Sequence, residues 1–302
     1  MNIIKYKKIF LSISALLVAS AIAVLVVFGL NPGIDFKGGT LMEVEYMTER
    51  PSNDFIQNSL TDLELGIVVL QPTGEKGLIL KMNIIDEVMR GTILDTLGGN
   101  IEGEDNVSLK TFTSIGPSVG DELRKKAILA IVVVIIAIVF FIAYVFRHVS
   151  EPVSSWKYGF VAIIALIHDV LITSGVFVFF TKFMGAQADT LFIVALLTVL
   201  GLSINDTIVV FDRVRENLLK NKEEDTKEAF SQTVGTSLSQ TLVRSFNTSL
   251  STLFVLGALV LWGPESTKIF ALTLAVGIFI GTYSSIFLAS PLLVLWNKKE
   301  KN

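Results

Sequence analysis

The apolar positions of the chain gather into long runs: Ile9 to Leu30, Ala127 to Phe146, Tyr158 to Phe180, Leu191 to Phe211, Leu238 to Trp262 and Ile269 to Trp296. About 20 helical residues cross the hydrocarbon core of a bilayer, so each run predicts a transmembrane helix. The first run follows Lys5-Tyr6-Lys7-Lys8 and contains Ala19-Ser20-Ala21, which together have the shape of a cleavable signal peptide. The run continues well past that pattern, which predicts an uncleaved helix with its N-terminus in the cytoplasm.

Between the first two runs the pattern changes. Leu41 to Tyr46 alternates as a strand does, Pro51 to Leu63 has helical spacing after Pro-Ser-Asn-Asp, and Gly66 to Leu70 is a β-branched run. A turn over Pro72 to Gly77 leads to a strand over Leu78 to Met82. A helix follows over Ile85 to Leu97, with Gly98-Gly99 as its stop signal, and then a strand over Val107 to Phe112. The order β-α-β-β-α-β predicts a ferredoxin-like α+β domain, a small sheet with two helices on one face. The expected division is residues 1–38 for the N-terminus and first span, 39–120 for an exported domain, and 121–302 for spans two to six with a cytoplasmic loop over 212–235.

Six spans return the C-terminus to the side of the N-terminus, and Lys298, Lys299 and Lys301 agree with a cytoplasmic end. Arg213, Arg215, Lys220, Lys222 and Lys227 fall inside by the same parity. Arg124-Lys125-Lys126 fall outside, which the long exported segment before them tolerates. Within the loop, Asp225 and Glu228 stand at capping spacing before Ala229 and Phe230, so a short interfacial helix is expected there. A docking surface for a cytoplasmic partner is the other reading of that charged loop.

Composition agrees with the pattern: of 302 residues 51% are hydrophobic and 18% charged, with a mean hydropathy of +0.64. This is the profile of a polytopic membrane protein lying in the lipid bilayer. A net charge of -3 supplies no field for nucleic acid. The absence of cysteine removes disulfides and thiolate chemistry, and the two histidines, His148 and His168, do not make a His-rich metal site. No P-loop, dinucleotide fingerprint or nucleophile-base pair occurs, so neither an enzyme nor a cofactor is expected.

The candidate chemistry is therefore charge at membrane depth. Asp206, next to Asn205, lies about 9 Å into the inner half of the fourth span, and Arg244 about 13 Å into the fifth. An ion pair between them is the cheapest arrangement for both. Ser203, Asp206 and Thr207 share one helix face; Ser237, Gln240, Thr241, Arg244, Thr248, Ser251 and Thr252 read as one polar stripe. His168 and Asp169 fall near the middle of the third span. Each has a plainer reading: small hydroxyls pack helices closely, a histidine bonds a neighbouring backbone, and an ion pair can be static. Burial disfavours a charged carboxylate, however, so a movement separating Asp206 from Arg244 would let it take a proton. The segment GIDFKGGT carries Gly33, Asp35, Gly38 and Gly39 where the first span meets the exported domain. There Gly38-Gly39 admit backbone closed to other residues and Asp35 can cap or turn the chain.

GIDFKGGT, ALIHDV, SINDTIVVFDRVREN and LVRSFNTS, in this order over the whole chain, resemble the SecF branch of the SecD/SecF family of protein-export membrane proteins, within the resistance-nodulation-division superfamily. The resemblance implies an accessory subunit of the Sec translocase in the bacterial cytoplasmic membrane. Such a subunit works with SecD, associates with the SecYEG channel, and uses the proton-motive force to assist late export of a translocating polypeptide. It also implies that Asp206 and Arg244 occupy the proton-path positions, with Asn205, His168, Asp169 and Thr248 as further candidates, and that a separate SecD is needed. The rival readings are a proton-driven exporter of small solutes and a scaffold that stabilises the translocase without transducing energy.

Overall fold

The computed structural model describes residues 3–98, 106–146, 155–226 and 228–297. The expectations for Gly99, His148, Lys227, Lys298, Lys299 and Lys301 lie outside these residues. In chain order the elements are α1 (Lys7–Phe28), α2 (Ile34–Lys37), β1 (Gly39–Tyr46), α3 (Asn53–Ser59), β2 (Val69–Thr73), β3 (Gly77–Met82), α4 (Glu87–Gly98) and β4 (Val107–Ile115). The long helices follow: α5 (Pro117–Val145), α6 (Ser155–Met184), α7 (Thr190–Glu223), α8 (Phe230–Trp262) and α9 (Glu265–Ser284), the last continuing through a π-helical turn into α10 (Ser290–Trp296). They divide into two compact units, one of Met1–Gly29, Ala130–Phe179 and Leu191–Asn302, the other of Leu30–Leu129 and Phe180–Thr190.

The first unit is helical. Among the described residues six helices are long and apolar enough to cross a membrane, α9 and α10 counting as one. They are unequally buried: about two thirds of the α6 span is covered by its neighbours, against 6% for α5 and 11% for α1. Three rings fill one end, Phe146 stacking on Tyr158 at 5.1 Å while Phe211 meets Tyr158 edge-on at 5.3 Å. Elsewhere glycine lets helices approach. A Cβ at Gly277 would come within 2.0 Å of Val199, and one at Gly281 within 3.0 Å of Ser203, so this GxxxG pair seats α9 directly on α7. The π turn precedes Pro291, which has no N–H to continue the α-helical ladder.

In the second unit the strands run in the order β2-β3-β1-β4, every neighbouring pair antiparallel. Alternate residues face one side: Met42, Val44, Leu78, Leu80 and Met82 are buried with Ile56 of α3, Leu60 just after it, and Ile93 and Leu97 of α4. Ser52 starts α3 by accepting the Phe55 N–H at its Oγ, 3.3 Å away.

Several boundaries differ from the sequence reading. β2 runs through Pro72 and Thr73, where a turn was expected. It is an edge strand bonded only to β3, so a residue without an N–H is tolerated and the turn moves to Gly74, at φ +60°. α5 begins ten residues before its apolar run and takes in Arg124-Lys125-Lys126, held by pairs such as Lys126 to Glu122 at 2.7 Å. α7 passes Phe211 and runs to Glu223, its charged end laced by Arg213 to Glu216 at 2.6 Å and Arg215 to Asp212 at 2.7 Å. No separate interfacial helix forms among the described residues, because α7 and α8 take up most of the sequence it would have used. Glu228 makes no capping box either; it accepts hydrogen bonds from Asn221 and Thr233 at 2.8 and 2.9 Å.

Candidate functional site

α7 buries Ser203, Asp206 and Thr207 together and leaves Asn205 exposed, as residues three and four apart share a face and a residue one step away does not. Asp206 faces the hydroxyls of Ser249 on α8 and Thr282 on α9, which are themselves 2.5 Å apart. These residues line a cavity of about 20 Å³ with Ser203, Asn205 and Thr248, large enough for a single water. The floor is supplied by Gly281, whose missing side chain lets α9 come close enough for Thr282 to reach the carboxylate.

The expected ion pair between Asp206 and Arg244 is not made. Arg244 is exposed, and its guanidinium has no ion pair or hydrogen bond among the described residues. The physical reason lies in the stripe on α8, which is two stripes. The buried line steps by four through Ser237, Thr241, Ser245 and Ser249, and four residues overshoot a turn by about 40°. Gln240, Arg244, Thr248 and Ser251 therefore fall on the neighbouring exposed side, with Asn247 among them, while Thr252 is half-buried. Thr248 borders the cavity, so Arg244 stands one turn, about 6 Å along the axis, from its rim.

A second polar cluster sits beside the first. Asp169 is fully buried on α6 and accepts from His168 Nδ1 at 2.8 Å, from Ser203 Oγ at 2.5 Å and from Ser284 Oγ at 2.7 Å. His168 is 3% exposed, lies parallel to the Tyr283 ring at 6.2 Å, and leaves Nε2 without a hydrogen-bond partner. Ser249, Thr282, Tyr283 and Ser284 did not emerge from the sequence reading as site residues. The legible signal was the hydroxyl run Thr282-Tyr283-Ser284-Ser285 directly after the GxxxG pair.

In the sheet unit, Gly38 and Gly39 have φ of +81° and +145°, and a Cβ on Gly39 would meet Ile34 and Met82 at 2.8 Å. Asp35 caps a helix start, though not the one next to it: its Oδ2 accepts the N–H of Thr190, the first residue of α7, at 2.8 Å. Gly33 N–H to Ala188 and Ala188 N–H to Asn31, both at 2.8 Å, tie the same two segments. Lys81 of β3 lies near them. Burial pulls its pKa below the ordinary lysine value, and the carboxylates of Asp189 and Asp35 oppose the shift. No group of residues among those described is arranged to hold a metal ion.

A helical unit with six apolar spans and two carboxylates buried between its helices, together with a small antiparallel sheet, defines a polytopic membrane protein with ionisable groups inside its bundle. Residues 99–299 match the family described as "Protein export membrane protein SecD/SecF, C-terminal", and residues 23–46 match the SecD/SecF GG motif, which takes in Gly38 and Gly39. Proteins named protein translocase subunit SecF are similar over nearly the whole chain. That of Thermobaculum terrenum is 39% identical over 99% of this chain and 95% of its own, and that of Anaerolinea thermophila is 37% identical over the same shares. A crystal structure of SecDF from Thermus thermophilus, described as a translocon-associated membrane protein, superposes with a TM-score of 0.83 at 30% identity, covering 98% of this chain. The chain spans 38% of that longer protein. A second SecDF structure, in a super-membrane-facing form, gives 0.67. The chain belongs to the SecD/SecF family.

Proposed function

We propose that the protein is an accessory subunit of the Sec translocase that works with a SecD partner and SecYEG and uses the proton-motive force to assist export of a polypeptide. Its sheet unit is a ferredoxin-like domain on the outer side of the cytoplasmic membrane, and both termini are cytoplasmic. The strand order β2-β3-β1-β4 with a helix in each crossover supports the fold. The lysines before α1 and at the end of α7 support the orientation.

The observation that carries the reading is the setting of Asp206: a carboxylate inside a transmembrane helix, among hydroxyls, at a cavity the size of one water, with an unpaired arginine one turn from the rim. In the proposed cycle Asp206 rests against Ser249 and Thr282 in one state and pairs with Arg244 in another, and gain or loss of a proton selects between them through a rotation of α8 on α7. One charge moved through 100 mV carries about 2.3 kcal/mol, enough to bias such a two-state element. In vesicles holding the translocase and the SecD partner, adding this chain should make late export sensitive to an ionophore. Export that gains from the chain equally with and without a gradient would favour a scaffold instead.

A further inference from the structure

The apolar core of the sheet unit is left open at one corner. Leu63 and Leu65, after α3, and Ile85 and Met89, around the start of α4, pack in that core, yet the same four side chains line a cavity of about 450 Å³ that opens to solvent. The volume falls in the range of about 300–1,000 Å³ usual for ligand pockets. The two loops that bound it are pinned. Asn83 N–H donates to Leu65 O at 3.2 Å, Ile85 N–H donates to Thr40 Oγ1 at 3.3 Å, and Gly66, at φ +73°, leaves the Asn83 amide the room that a Cβ would fill. Ile84, on the rim, is 48% exposed, and Ile67 and Val88, each within two positions of a lining residue, are 86% and 78% exposed. Single apolar residues on a surface need no explanation, but several in the two segments that form one open apolar cavity mark an interaction site.

The rim is acidic. Glu64 sits at φ +51°, a region that residues other than glycine seldom adopt, and its carboxylate makes no ion pair or hydrogen bond among the described residues. Asp86, also on the rim, caps α4 through one oxygen, its Oδ1 accepting the Met89 N–H at 2.8 Å. No lysine or arginine lines the cavity, and the neighbouring Arg90 is paired with Glu87. We propose that this corner of the sheet unit binds an unfolded segment of the exported polypeptide, taking a large apolar side chain into the cavity and an adjacent lysine or arginine onto Glu64 and Asp86. The proposal rests on the export reading above. A folded protein keeps most of its large apolar side chains inside, so an apolar floor selects a chain that has not yet folded. The floor has no directional polar group, and Met89 adapts its unbranched side chain to what it meets, so many sequences fit. Charge supplies the selectivity: the rim attracts a basic neighbour and repels an acidic one. One side chain and its neighbour cover far less than the roughly 1,200 Å² of a stable interface, so the hold is weak and quickly released, as a passing chain requires.

The test is peptide binding to the full-length protein in nanodiscs of zwitterionic lipid, read by fluorescence anisotropy against empty nanodiscs. Three peptides of equal length are compared: leucines flanking a lysine in a Gly-Ser background, the same with glutamate for lysine, and the same with serine for leucine. The first is expected to bind, and the other two about tenfold more weakly. Ile84→Ser should weaken the first peptide several-fold. Glu64→Gln together with Asp86→Asn, which keeps a good cap on α4, should bring the lysine and glutamate peptides to equal affinity. Phe55→Ser, which removes an exposed apolar side chain outside the cavity, should change nothing. No binding above the empty nanodiscs, no preference for lysine over glutamate, or an affinity indifferent to Ile84→Ser overturns the proposal. Absent peptide binding with a loss of SecD-partner recovery in Ile84→Ser assigns the corner to assembly instead. The readout needs neither a gradient nor the translocase, so it holds or fails apart from the role in export.

Discussion

At the scale of single residues, the account turns on where polar side chains are allowed inside an apolar bundle. Asp206 and Asp169 are both buried; Asp206 is met by hydroxyls, and Asp169 by two hydroxyls and the His168 ring, with no lysine or arginine at either among the described residues. A carboxylate held this way is stabilised without being permanently paired, which suits a group that must gain and lose a proton. Arg244→Gln should leave the fold intact, since its side chain makes no ion pair or hydrogen bond among the described residues, yet reduce gradient-dependent export at least tenfold. A variant that keeps wild-type ionophore sensitivity would remove Arg244 from the cycle. In the glycine motif the demand is steric. Gly39→Ala places a methyl against Met82 O and Ile34 in a backbone region that side chains avoid, and should cost about 1–3 kcal/mol, read as a lower midpoint of thermal unfolding.

At the scale of elements, two contacts hold the site helices in register. The first is the seat of α9 on α7 through Gly277 and Gly281. Gly277→Ala forces its methyl into Val199 and should destabilise by about 1–3 kcal/mol, while moving Thr282 away from Asp206. Loss of activity together with stability in this variant, against loss of activity alone in Arg244→Gln, distinguishes the two roles. The second is the cap that Asp35 supplies to α7. Asp35→Ala should cost about 1 kcal/mol, and Asp35→Asn, still a good cap, should restore most of it. The helices were legible in the sequence because an apolar run of 20 residues has few other uses, and strands were legible around Leu41, from alternation, and around Leu78, after a turn signal. The ends of α5 and α7 were not, because charged residues paired along a helix read as a loop until the pairing is seen. The partner of Asp206 was misjudged for a related reason. Depth along a helix can be counted, but the side to which Arg244 turns depends on how the buried line of α8 precesses. The reach of Asp35 to Thr190, across 155 positions, leaves no trace in local pattern.

At the scale of the whole molecule, the chain of this SecD/SecF family member combines a helical unit with buried acids and a sheet unit that carries the glycine motif. The chain matches 38% of the longer SecDF protein, and the exposed polar line around Arg244 and Asn247 is costly to leave against lipid. Co-purification from native membranes should therefore recover a SecD-type partner, and Arg244→Gln should weaken the recovery. The central claim, that Asp206 carries the proton that drives assistance of export, is tested most directly by one comparison. Late export is measured in membranes holding wild-type or Asp206→Asn protein at equal abundance, with and without a proton gradient. The account predicts that the variant assembles normally and exports at the rate the wild type shows when the gradient is collapsed. Gradient-dependent export undiminished in Asp206→Asn would contradict it.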